Sequence, residues 1–154
     1  MNKELIDKKI TSLMNLCGET CLRLSFGIIF IWFGVLKPLG LSSAEPLVLK
    51  TVDWMPFFTA KEWLSIIGYW EILIGVFFLS KKTTRMAILL LFLQMGGTFL
   101  PLFILPEITF QKGGNLMFPT MEGQYIIKNL MIISAALVIG GNLGKTMKTN
   151  VSST

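Results

Sequence analysis

Four stretches of this chain stay apolar over about 20 residues, the length a helix needs to cross a lipid bilayer. No other feature restricts the fold as much. They run from about Gly18 to Leu36, Trp63 to Ser80, Met86 to Leu105 and Gln124 to Gly144. The centre of the first, L-S-F-G-I-I-F-I-W-F-G-V-L, is uncharged; the second is broken by Glu71 alone; the third has no charge but carries Gln94 and Pro101; the fourth has Lys128 near its start. Runs of this length cannot be strands, and hydrocarbon offers the backbone no water, so each must satisfy its own N–H and C=O groups as a helix. The expected fold is an all-α integral membrane protein, a four-helix transmembrane bundle forming one domain over residues 1–154. Composition agrees: 15% of residues are charged and mean hydropathy is +0.66, where soluble chains hold about 25% charged residues.

Several chemistries drop out. The chain has no His, so His-dependent triads, His-ligated zinc and His-ligated haem are excluded. Its net charge of +5 comes from 14 basic residues scattered along the sequence, without the basic, aromatic-interleaved stripe of a nucleic-acid binder. Cys17 and Cys21 form C-G-E-T-C, neither a redox C-x-x-C nor a zinc pattern. On a helix their Cβ atoms stand roughly 5 to 6 Å apart, too far for an unstrained disulfide, and they read as small apolar helix residues. No metal site is expected.

Orientation follows from the basic residues around the spans. Lys3, Lys8 and Lys9 precede the first, Lys81, Lys82 and Arg85 link the second to the third, and Lys145 and Lys148 follow the fourth, whereas the other two loops hold Lys50, Lys61 and Lys112. By the positive-inside rule both termini are cytoplasmic. A cleaved leader ending near Ser42 and Ala44 would be 44 residues long with Lys37 after its apolar run, a poor fit to a signal peptide. In the first outer loop, Ser42-x-x-Glu45 followed by Pro46 reads as a capping box opening a short interfacial helix, E-P-L-V-L-K-T-V. Trp54, Phe57 and Phe58 after it suit the headgroup region. Thr59-x-x-Glu62 is a second capping box, Gly113, Gly114 and Asn115 mark a turn, and Thr120 is an expected N-cap.

Small and polar residues fall on stripes. Arg23, Gly27, Phe30, Gly34 and Lys37 share one face of the first span; Ser65, Gly68, Glu71 or Ile72, and Gly75 share one of the second; Gln94, Gly97 and Pro101 share one of the third. Such stripes let membrane helices approach closely. Glu71 lies roughly 12 Å from its outer helix end and Gln94 about 16 Å from its own, so they occupy one layer; Lys128 is roughly 6 Å deep. An intramembrane acid must be paired, protonated or in contact with a wet cavity. Glu71 is therefore either a structural contact or a substrate or proton site, ionised against Lys128 or protonated against Gln94, with the Lys128 pair slightly preferred. Arg23 follows Glu19 by four residues, a helical ion pair at the cytoplasmic edge. Lys37 reads as an interfacial anchor. Trp32, Tyr69 and Trp70 could stack on a planar quinone but more simply pack.

R-L-S-F-G-I-I-F-I-W-F-G-V-L-K from Arg23 to Lys37, G-Y-W-E-I-L-I-G from Gly68 to Gly75 and I-I-K-N-L from Ile126 to Leu130 together resemble the DoxX-like membrane proteins. The branch is that of small inner-membrane proteins linked to reactive-chlorine resistance, which share the L-K…A-E-P-L-V layout. The resemblance covers roughly Arg23 to Ala136 and implies a bacterial inner-membrane four-helix bundle with Arg23, Lys37, Glu71 and Lys128 at motif positions. It departs at Asn129, where the branch commonly has Asp, which removes a carboxylate from any proton relay there. The implied function is a non-catalytic accessory subunit of a quinone-linked or oxidative-stress redox system, with no intrinsic cofactor, quinone as candidate ligand, and a redox enzyme or a second copy as candidate partner. A small-molecule carrier lined by Glu71 and Gln94, and a purely structural anchor, are the alternatives.

Overall fold

The computed structural model describes residues 3–111 and 117–151, with side chains described through residue 143. The helices are α1 (Lys3–Leu36), α2 (Glu45–Val52), α3 (Ala60–Leu79), α4 (Thr84–Phe99), α5 (Pro101–Ile104), α6 (Pro106–Thr109) and α7 (Met121–Val151). Four segments are long and apolar enough to cross a bilayer: Lys3–Leu36, Ala60–Leu79, Thr84–Ile104 and Met121–Leu143. The chain is an all-α four-helix membrane bundle. The turn expected at Gly113, Gly114 and Asn115 lies outside the described residues.

Local chemistry accounts for most helix ends. α1 begins at Lys3, well before the expected Gly18, because residues 3–17 contain no Gly or Pro and Glu4 stands four before Lys8, the favourable order for a helical pair. It closes in a Schellman turn: the Gly40 N–H donates to Lys37 O at 3.1 Å and the Leu41 N–H to Leu36 O at 2.9 Å. Gly40 takes φ +67° there, a left-handed conformation that glycine adopts without steric cost. α2 forms where expected, but the Ser42 capping box does not. Ala44 occupies the N-cap without a side-chain bond, since Pro46 pre-sets the first turn and removes one N–H that a cap would serve. The Thr59–Glu62 box is complete, both reciprocal bonds being made. Pro101 interrupts the third span, splitting it into α4 and α5 around Leu100, because proline has no N–H for the ladder. Thr120 caps α7, accepting from the Gly123 N–H at 3.2 Å.

α1 packs on α3, α3 on α4, α4 on α7, and α7 returns to α1, closing a ring. The α1–α3 seam is the tightest because glycines face each other across it. A Cβ added to Gly34 would stand 2.7 Å from Gly68 O, and one added to Gly75 would stand 2.7 Å from Gly27 O. Gly97 departs from its expected stripe: nothing lies within 4 Å of its Cβ position, and it faces outward while Gln94 and Pro101 do not. The core joins all four spans through Phe26, Phe30, Ile74, Phe78, Ala87, Leu91, Met95, Ala136 and Ile139, with Phe26 stacked on Phe78 at 4.8 Å between centroids. At most 28% of any spanning window is buried inside the bundle. The remaining surface is apolar and suits contact with lipid.

Candidate functional site: a buried charge chain across three helices

The polar centre of the bundle is built from the residue that follows α1 and one residue on each of α3 and α4. Lys37 Nζ forms an ion pair with Glu71 Oε2, and Gln94 Nε2 donates to Glu71 Oε1 at 2.7 Å. The Lys37 side chain is 7% exposed and that of Glu71 13%, so the pair is withdrawn from solvent and from lipid alike. Among the described residues this is the only ion pair.

Helix direction explains why Lys37 reaches Glu71. Each Cα–Cβ bond tilts toward its helix N-terminus, and α1 and α3 run antiparallel. Lys37, just past the C-terminal end of α1, leans back toward the middle of the bundle, while Glu71, midway along α3, leans toward the end where Lys37 lies. The two side chains therefore converge. Gly68 brings the backbones close enough for the meeting, since its own Cβ position lies 2.9 Å from Lys37 Cβ. The expected Glu71–Lys128 pair is not made. α7 runs parallel to α3, so Lys128 leans the same way as Glu71, and it is exposed, with Nζ 5.2 Å from the centroid of the Tyr125 ring. Lys37, expected as an interfacial anchor, is instead the buried counter-ion.

Arg23 also differs from its expected pairing with Glu19. It is 6% exposed and its Nη1 donates to Phe78 O at 2.7 Å. That carbonyl belongs to the last turn of α3, whose final four C=O groups have no partner within the helix. A cation there meets the negative end of the helix dipole. Thr83 Oγ1 donates to the neighbouring Phe77 O at 2.8 Å, so the two side chains share the capping.

Trp70 lies in the α3–α4 seam and its indole N–H donates to Leu90 O at 3.2 Å. Trp32 and Tyr69 face outward, 63% and 62% exposed. Three buried polar atoms have no partner among the described residues: Arg23 Nε, Trp63 Nε1 and Gln94 Oε1. The last belongs to the charge chain, which thus ends in an unfilled acceptor. Cys17 and Cys21 are free and exposed, and among the described residues no group of three or more His, Cys, Asp or Glu side chains could hold a metal ion. The sequence placed Lys37 at the end of the small-residue stripe of the first span, but which helix that stripe meets is settled only in the bundle. No protein-family model, curated protein or solved structure matches this chain.

Proposed function

We propose that the protein is a small accessory subunit of a quinone-linked redox system in a bacterial inner membrane, related to the DoxX-like proteins and lying with both termini in the cytoplasm. The observation that carries this reading is the Lys37–Glu71–Gln94 chain, an acid held midway through an apolar bundle with a buried, unpartnered acceptor at its far end. An unpartnered buried acceptor is costly, and a hydroxyl donor relieves that cost. The unpartnered atom is an acceptor, so a quinol hydroxyl is the ligand group that matches it, while the Gln94 amide nitrogen and the Lys37 ammonium already donate to Glu71. Gln94 Oε1 would accept the ligand's O–H, Glu71 would hold the amide in that orientation, and Lys37 would fix the carboxylate. Trp70 would offer its face only, its N–H being taken by Leu90. A bound quinol would supply the redox chemistry itself.

A structural pin is the second reading, supported by the same pairing, since both Glu71 oxygens are satisfied inside the protein. A carrier has less support, because Glu71 is enclosed by packed neighbours on α1 and α4. Purification in mild detergent, lipid extraction for quinone and identification of co-purifying proteins separates these. Quinone retained by the wild type and lost from Gln94→Leu is the expected result. Recovery of neither quinone nor a redox partner would overturn the proposal and leave the pin.

A further inference from the structure

At the end of the bundle opposite Lys37, three of the spans and the link between α3 and α4 form one open recess of about 510 Å³, lined by Asn15, Leu16, Glu19, Thr20, Lys81, Lys82, Arg85 and Leu143. Three cations therefore share a concavity with a single acid. None of the three forms an ion pair with a described residue, so their charge is uncompensated within the bundle. The start of α4 adds to it: that helix has no acidic residue in its first turn and no side-chain cap at Thr83, whose hydroxyl proton is within reach of Phe77 O and Ser80 O. An uncapped helix N-terminus carries positive potential.

The recess is at headgroup depth. Lys81 and Lys82 lie in the link between the spans ending at Leu79 and starting at Thr84, and in the sequence Leu143 is the last apolar residue before Gly144 and Lys145. Leu16 and Leu143 make its wall partly apolar, while Asn15 and Thr20 offer neutral hydrogen-bonding groups beside the cations. A small free anion would use the cations alone. A phospholipid would use both walls.

We propose that this recess binds the phosphodiester headgroup of an anionic phospholipid, with Lys81, Lys82 and Arg85 on the phosphate, Asn15 and Thr20 on the ester or glycerol oxygens, and the acyl chains running along Leu16 and Leu143. Basic pockets between membrane helices take such headgroups. Glu19 on the rim opposes the phosphate and tunes the affinity downward. The site is separate from Glu71, so it stands or falls independently of the quinol reading.

The test is titration of an acyl-labelled fluorescent phosphatidylglycerol into the full chain in neutral detergent, with unlabelled phosphatidylglycerol, phosphatidylcholine or inorganic phosphate at matched ionic strength as competitors. Phosphatidylglycerol should compete, and the other two should not. Affinity should fall about fivefold for each of Lys81→Gln, Lys82→Gln and Arg85→Gln, stay unchanged in the Lys3→Gln, Lys8→Gln, Lys9→Gln triple variant, and rise in Glu19→Gln. The Glu19 variant gains binding, so loss of fold cannot imitate it. Equal competition by phosphatidylcholine, equal competition by phosphate, or wild-type affinity in all three recess variants would overturn the proposal.

Discussion

A carboxylate and an ammonium withdrawn together from water hold each other by their mutual charge, and removing either leaves the other buried and uncompensated. This is the position of Glu71 and Lys37. Glu71→Gln and Lys37→Met should each cost about 3–5 kcal/mol of stability, and the double variant should cost clearly less than their sum. Lys128→Met should change stability by no more than about 0.5 kcal/mol, because Lys128 is exposed and rests on Tyr125 rather than on Glu71. Unfolding of the four variants in one detergent decides between the two lysines. Additivity of the Glu71 and Lys37 changes within about 0.5 kcal/mol would remove the pair from the account.

Two helices approach only as closely as the residues between them allow, and α1 and α3 are set by glycines. Gly68→Ala would place a methyl group 2.7 Å from Gly34 O and 2.9 Å from both Lys37 Cβ and Pro38 Cδ. Backbone atoms cannot yield as a side-chain tip can, so the seam must open, at a cost of about 1–3 kcal/mol. Opening it also draws Lys37 away from Glu71, which couples this element-scale change to the residue-scale pair. Gly97→Ala is the contrasting case. Its Cβ would meet nothing within 4 Å, and alanine favours a helix over glycine by up to about 1 kcal/mol, so thermal unfolding should show no loss. Destabilisation by Gly97→Ala equal to that by Gly68→Ala would mean that helix propensity, not the seam, governs both.

The whole molecule has two chemically different ends. Eight basic residues flank the spans at the end that carries the 80–83 link, and three occupy the loops at the other end; all these loops are short enough for the positive-inside rule to apply. Reporter fusions after Lys82 and after Thr154 should both register on the cytoplasmic side, and one after Lys112 on the opposite side. A signal from the opposite side at Thr154 would reverse the proposed orientation. In the proposed orientation the basic recess would lie in the inner leaflet and the aromatic first loop, where Trp54 is 64% and Phe57 91% exposed, at the outer one. Phe57 holds φ +80° there.

Apolar length alone determined the number of spans, and local rules determined most helix ends: Thr59–Glu62 opens α3, Thr120 opens α7, and Pro101 interrupts the third span. Those signals lie within a few residues of what they control, so the chain carries them without knowing its neighbours. The small-residue stripes were also legible on α1 and α3, where periodicity puts Gly27, Gly34, Gly68 and Gly75 on single faces. Partner choice was not legible in the same way. Glu71 had Lys128 and Gln94 as the partners in reach of its layer; the amide contact forms, but only the antiparallel contact of α1 with α3, together with the exposure of Lys128 on α7, selected Lys37 as the cation. Arg23 and Glu19 share one helix at the favourable spacing, yet Arg23 turns to the last carbonyls of α3, a partner 55 residues away that no local pattern could name. An interaction set by spacing along one helix is written in the sequence; an interaction set by which helices lie side by side, and in which direction, exists only once the bundle has formed.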